Sequence, residues 1–295
     1  MFCRYFGNYL VGKNIITNKQ LDLILEYRKN NRVKLGLIAV EQKLLTPARA
    51  EEVNRLQMKM DKRFGDIAIE KGYLTQTDVE NLLGLQGNPY LIFVQGGTEH
   101  DIISKEKVDV CLLGFQKEFG YTDDQLEALK NGDIDRSVDA IFKVNEPCRS
   151  LISLVLKNII RFASTDLSVG ELTLEKELTA GHIALQQLEG ECPIMIGLLC
   201  GNDELLKIAS PFGKEEFSSV DVDALDSVGE FINCTNGIYA SKLSHDNIEL
   251  EMLPPEFYEA VTLQAEKEFY VLPIEVSGEW MKLVLAINTK WSIQA

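Results

Sequence analysis

A unit of 29 residues recurs three times at the start of the chain, and this repeat constrains the fold more than any other feature. Phe6-Gly7-Asn8-Tyr9-Leu10-Val11, Leu35-Gly36-Leu37-Ile38-Ala39-Val40 and Phe64-Gly65-Asp66-Ile67-Ala68-Ile69 align without gaps. Gly7, Gly36 and Gly65 are 29 residues apart, as are Thr17, Thr46 and Thr75. Each copy reads as a short helix, a turn and a longer helix. The Thr falls where an N-cap belongs, most clearly at Thr46-Pro47. After it, apolar residues follow helical spacing: Leu21, Ile24 and Leu25 in the first copy, Val79, Leu82 and Leu83 in the third. One such hairpin cannot bury its apolar face alone, but three stacked ones can.

Charge divides the chain near residue 90. Residues 1–90 carry 14 Lys and Arg against 10 Asp and Glu, while the whole chain has a net charge of -15. Gln86-Gly87-Asn88-Pro89 supplies the breakers of a boundary. The domains expected are a helical repeat over 1–88, a helical connector over 89–135 and a second domain over 136–295. In the connector, Gly96-Gly97 should end the apolar run Tyr90–Val94. Thr122 and Gln125 read as a helix N-cap and its partner.

The overall acidity argues against nucleic acid, whose backbone needs many cations. No uninterrupted run of about 20 apolar residues suggests membrane insertion. Met1–Asn8 has no apolar core of a secretory signal. The six cysteines show no C-x-x-C spacing and read as reduced, mostly buried thiols, so a cytoplasmic protein is expected. Three histidines without ligand spacing make a metal site unexpected. No phosphate-loop pattern G-x-x-x-x-G-K-[ST] occurs.

Over 136–295 helical and strand patterns mix, giving an α+β sandwich with antiparallel strands and long helices. Pro147–Phe162 reads as a helix. His182–Glu189 and Pro193–Leu199 read as a hairpin, and Asp203–Ala209 as a short helix. Ile248–Met252, Glu268–Val276 and Glu279–Ala286 read as strands, with a turn at Ser277-Gly278. Asp221–Leu243 is a long helix, with Ser218 or Ser219 near its N-cap. One face carries Leu225, Val228, Ile232, Tyr239 and Leu243. The other carries Asp226, Glu230, Asn233, Gly237 and Ser241. A Gly inside a helix costs about 1 kcal/mol relative to Ala, so a face with Gly237 invites close approach. Cys234 has no cation within a helical turn and reads as a buried structural thiol. His182 also reads as structural, and His245 as a helix-end residue.

The N-terminal repeats resemble the MshEN family, the N-terminal domain of type II secretion ATPases. The third copy carries most of the match, through Arg63, Phe64, Gly65, Ala68, Ile69, Gly72, Val79, Leu83 and Gln86. The second keeps Lys34, Leu35, Gly36, Ala39, Val40 and Gln57, with Lys43 where a second Gly is usual. The first has Asn14 at that place. Some members bind cyclic di-GMP. The resemblance implies Lys34, Gly36, Arg63, Gly65, Gly72 and Gln86 as ligand-binding positions, Gly for close approach and Arg for guanine or phosphate.

The long helix resembles the signature of the CheC/CheX/FliY phosphatases, which act on receiver domains of response regulators. Asp226, Glu230 and Asn233 hold the helical part. Pro255 follows Asn233 after 21 intervening residues and Pro254 after 20. Val228-Gly229-Glu230-Phe231-Ile232-Asn233 fits the CheX branch. Ser150 lacks a following Glu and Asn, since Leu154 and Lys157 stand there, which implies one site per chain. The resemblance implies hydrolysis of an aspartyl phosphate. Asn233 would orient water and Glu230 would dock the receiver lysine. Asp226, Gly237, Pro254 and Pro255 would shape the docking surface. The chain would bind no cofactor of its own, Mg²⁺ coming with the phosphorylated receiver. A homodimer is likewise implied. The other reading is a non-catalytic signalling adaptor that binds a receiver domain, cyclic di-GMP or both.

Overall fold

The computed structural model describes residues 1–60, 62–144, 146–245 and 247–294. Two compact units form, one of Phe2–Asp133 and one from Ile134 onward.

The first unit is helical throughout. Three helical hairpins follow one another: α1 (Phe2–Gly12) with α2 (Asn18–Asn30), α3 (Leu35–Glu41) with α4 (Pro47–Met60), and α5 (Phe64–Glu70) with α6 (Gln76–Gly84). The longer helices begin at Asn18, Pro47 and Gln76, so the 29-residue period is a period of structure. Thr17 and Thr75 each form a capping box, with Gln20 and Asp78, and the Thr46 hydroxyl accepts from the Arg49 N–H. The first Gly of each copy packs one helix on the other. A Cβ at Gly7 would lie 2.2 Å from Leu21 Cδ1, and one at Gly65 would lie 2.8 Å from Val79 Cγ1. Ala50 takes the same place opposite Gly36.

The turn between the helices repeats as well. Asn14, Lys43 and Gly72, again 29 apart, have φ of 57°, 58° and 67°. A left-handed residue closes each turn, which is why Gly and Asn serve there and why Lys43 is strained.

The unit continues with α7 (Pro89–Glu99), α8 (Lys105–Phe119) and α9 (Asp123–Asn131). Thr122 and Gln125 form the anticipated capping box. Helix α7 runs through Gly96-Gly97 rather than ending there. A Cβ at Gly96 would sit 3.1 Å from Tyr27 Cδ1, and one at Gly97 would sit 2.7 Å from Ile103 Cγ2. The glycines therefore permit packing rather than break the helix.

The second unit combines helices with one antiparallel sheet. Its elements are α10 (Ile134–Ile141), α11 (Cys148–Phe162), β1 (Leu167–Val169), β2 (Thr173–Gly190), β3 (Ile194–Cys200), α12 (Leu206–Gly213), α13 (Val222–His245), β4 (Leu250–Met252), β5 (Glu256–Val276), β6 (Glu279–Ile287) and β7 (Trp291–Gln294). Strand order is β1-β5-β6-β3-β2-β4, with β7 on β5. A further β2–β5 pairing closes the circuit β5-β6-β3-β2. The hairpin of β2 and β3 pairs Leu188 with Ile194, and Ser277-Gly278, both at positive φ, turn β5 into β6.

Both faces of the sheet are apolar, and every residue of β3 is buried. Ile183, Leu185, Met195, Leu199 and Val284 pack together on one face. On the other, Ala184, Leu188, Ile196 and Leu198 share a core with Leu151, Ile152, Val155, Leu225, Val228 and Ile232 of α11 and α13. Strand alternation puts Gln186 between Ala184 and Leu188, on the helical side. Helix α13 is thus held against the sheet along one stripe and turns its other stripe outward.

Candidate functional site

Helix α13 starts at a different cap from the one anticipated. Asp221, not Ser218 or Ser219, supplies it. The Ala224 N–H donates to Asp221 Oδ1 at 3.0 Å, and the Leu225 N–H donates to the Asp221 carbonyl. The carboxylate also suits the positive end of the helix dipole.

From this start the two faces follow as the periodicity requires. Leu225, Val228, Ile232 and Tyr239 are buried, while Asp226 and Glu230 are exposed and Asn233 and Gly237 are half-buried. Asn233 Nδ2 lies 3.4 Å from Glu230 Oε2, so acid and amide stand side by side one turn apart. A Cβ at Gly237 would meet nothing within 4 Å, which leaves that end of the stripe open. Cys234 is exposed, contrary to the buried thiol read from sequence. It lies four residues after Glu230 and so shares the outward face.

The segment between β4 and β5 borders the same helix. A Cβ at Gly229 would lie 2.6 Å from Phe257 Cε1 and 3.1 Å from Pro255 Cβ. Pro255 is therefore seated against α13 next to Glu230, while Pro254 is exposed.

On the other flank, the Ser227 hydroxyl donates to the Ala209 carbonyl and ties α12 to α13. Between them an open groove of about 400 Å³ is lined by Phe212, Phe217 and four carboxylates, Glu215, Asp223, Asp226 and Glu230. Among the described residues, no Lys or Arg lines it. The surface around Glu230 is therefore electrostatically suited to a cationic side chain.

Two residues of the site went unread in the sequence. Gln186, buried in β2, donates through Nε2 to Asn233 Oδ1 and to the Leu253 carbonyl, both at 2.8 Å. Its Oε1 accepts from Asn236 Nδ2 at 2.8 Å. The available signal was a polar residue at the inward position between Ala184 and Leu188, with another amide three residues after Asn233.

Among the described residues, no group of three or more His, Cys, Asp and Glu side chains is arranged to hold a metal ion. Cys148 and Cys200, unlike Cys234, are buried. Burial pushes the Cys148 and Cys200 thiols up to about 12, so they stay protonated near neutral pH. His182 sits within β2 and is half-buried, and its Nδ1 has no hydrogen-bond partner. No described helix is long and apolar enough to cross a membrane.

The N-terminal positions have separate placements. Lys34 forms an ion pair with Glu99 at 2.6 Å, and Gln86 donates to the Val33 carbonyl at 3.0 Å. Gly36 is buried against Phe64 of the next copy and Ala50 of its own, and Gly65 against Val79 of its own. Gly72 occupies the left-handed turn, and Arg63 is exposed at the start of α5.

Comparison with known proteins meets this geometry in the second unit. The family model for chemotaxis phosphatase CheX matches residues 182–275, from within β2 into β5 and spanning α13. No curated protein matches the chain. Solved structures similar to it include a CheC-like superfamily protein from Shewanella sp. PV-4, at 17% identity and TM-score 0.42, covering 49% of this chain and 99% of that one. A chemotaxis protein CheX from Desulfovibrio desulfuricans shares 12% identity at TM-score 0.43, over 49% of this chain and 100% of its own. A chain of a CheX–CheY–BeF3–Mg²⁺ complex from Borrelia burgdorferi shares 16% identity at TM-score 0.39, over 48% of this chain and 96% of its own. The family match encloses Gln186, Glu230, Asn233 and Pro255 together, and the C-terminal part of this chain carries a CheX-like domain.

Proposed function

We propose that this chain hydrolyses the aspartyl phosphate of a response-regulator receiver domain. The observation that carries the reading is the pair Glu230 and Asn233, adjacent on the outward face of one anchored helix. An aspartyl phosphate already reacts with water. A catalyst for it needs to dock the partner, place the water in line and stabilise charge. Glu230, in a groove lined by three further carboxylates, offers an ion pair to the receiver's active-site lysine. The Asn233 carboxamide hydrogen-bonds the attacking water without taking its proton. The water oxygen bonds to phosphorus, the bond from phosphorus to the aspartyl oxygen breaks, and the water's proton leaves with inorganic phosphate. Mg²⁺ belongs to the receiver in this reading, and no ligand set is asked of this chain. Asp226, Pro254 and Pro255 frame the docking surface.

The N-terminal repeats act here as an input or docking module. Calorimetric titration of cyclic di-GMP into the wild type and Arg63→Ala tests the ligand that the repeat pattern implies. The enzymatic reading is tested by the decay of a phosphorylated receiver alone, with the wild type and with Asn233→Ala. Acceleration by the wild type only supports it. Equal decay in all three, with binding retained, leaves a receiver-binding adaptor.

A further inference from the structure

We propose that Gln186 is a positioning residue that fixes the Asn233 carboxamide with its oxygen inward and its N–H groups outward. The kinetic consequence rests on the phosphatase reading, whereas the orientation itself does not.

The network is anchored at a backbone carbonyl. Leu253 lies between β4 and β5, its N–H donates to the Gln187 carbonyl at 3.0 Å, and Pro254 follows it. A residue before proline is confined to extended conformations, so the Leu253 carbonyl has a set direction. A carbonyl oxygen only accepts. The Gln186 atom 2.8 Å from it is therefore the Nε2 donor. That nitrogen has a second N–H, which points at Asn233 from 2.8 Å. The Asn233 atom facing it must accept, so it is Oδ1. Nδ2 then turns outward, toward Glu230.

The network also extends inward. Gln186 Oε1 has to accept, and Asn236 Nδ2 donates to it at 2.8 Å. Asn236 Oδ1 is then left buried without a hydrogen-bond partner. An orphaned buried acceptor costs roughly 1–3 kcal/mol. A partly satisfied polar network is a poorer core than apolar side chains of the same size. Gln186 is 1% exposed and Asn236 is fully buried, so this cost falls in the interior while the outcome appears on the surface. The network dictates a direction: the outward face of α13 meets its partner with amide donors beside a carboxylate. Donors suit the lone pairs of an attacking water or of a phosphoryl oxygen.

The variants are Gln186→Met, which has no donor, and Gln186→Glu, whose buried carboxyl has at most one O–H to give where the amide gives two N–H groups. In receiver dephosphorylation, kcat should fall by about tenfold to a hundredfold with KM nearly unchanged, as expected for lost orientation rather than lost docking. An active wild type with undiminished kcat in folded Gln186→Glu and Gln186→Met overturns the positioning role and leaves the phosphatase reading intact. The orientation is read without activity from side-chain amide exchange in ¹⁵N-labelled wild type. Slow exchange for Gln186 and Asn236 with fast exchange for Asn233 supports the proposal. Protection of the Asn233 amide equal to that of Gln186 overturns it, whether or not the protein is a phosphatase or the variants fold.

Discussion

Gly229 and Phe257 meet so closely that a methyl group on the glycine would lie 2.6 Å from the phenyl ring. The contact joins the strand after the two prolines to the helix that carries Glu230 and Asn233. It also separates two glycines of that helix that sequence alone treats alike. At Gly237 a Cβ would meet nothing within 4 Å.

The same substitution should therefore have opposite effects on one helix. Gly237→Ala gains helix propensity, up to about 1 kcal/mol. Gly229→Ala gains it too but forces Phe257 and Pro255 aside, at a cost of about 1–3 kcal/mol. Urea unfolding of the two variants checks the signs. A stabilised Gly229→Ala would show that the ring yields freely.

In the repeat unit, the left-handed turn carries a lysine in one copy and a glycine in another. Lys43→Gly should stabilise by about 1 kcal/mol, the scale of strain at a non-glycine residue in this conformation. Gly72→Ala should destabilise by a similar amount, about 1 kcal/mol, although space for the methyl is open. Thermal melts of both variants test whether backbone conformation alone governs these turns.

Thiol labelling maps the outward face of α13. Cys234 is exposed, whereas Cys148 and Cys200 are buried with thiols pushed up to about 12. A thiol reagent near pH 8 should modify Cys234 first, and a receiver held in its phosphorylated form by beryllofluoride should slow that reaction. Unchanged labelling in a saturated complex would place the docking surface elsewhere.

Asp135 supplies a pH test of the helical layer. Partial burial works against its charge, but the Lys157 ammonium and the Ser153 hydroxyl outweigh this and hold the carboxyl below its usual range. A depressed carboxyl contributes stability above its unfolded pKa and loses it as pH falls through the folded value. Asp135→Asn should therefore cost stability at pH 7, at most about 1 kcal/mol for a pair this exposed, and the cost should shrink as pH falls through the depressed folded value. A cost independent of pH would assign the effect to shape rather than charge.

How much of this was legible depended on whether one local signal acted alone. The repeat was legible because helix starts, packing glycines and turn residues all recur at the same interval. The two faces of α13 were legible because a long helix obeys a single period. Its start was not, because Ser218, Ser219 and Asp221 all offer a capping oxygen, and the structure uses Asp221. Half of β2 and half of β5 escaped notice. The run Thr173–Glu177 is exposed and does not alternate in the way that marks a half-buried strand. Cys234 was misread from its chemistry when its spacing from Glu230 already placed it outside. Gln186 could be flagged as a polar residue on an inward face. Its partners, 47 and 67 residues away, became visible only once the sheet brought them together.

The most direct measurement separates docking from chemistry in a single-turnover decay of a phosphorylated receiver, run over a range of protein concentrations. Glu230→Ala should raise the concentration for half-maximal rate by about tenfold, equivalent to about 1.4 kcal/mol of lost ion pairing, and keep most of the maximal rate. Asn233→Ala should bind as the wild type does and return decay to the spontaneous rate. Wild-type protein that binds the phosphorylated receiver without shortening its lifetime would contradict the account.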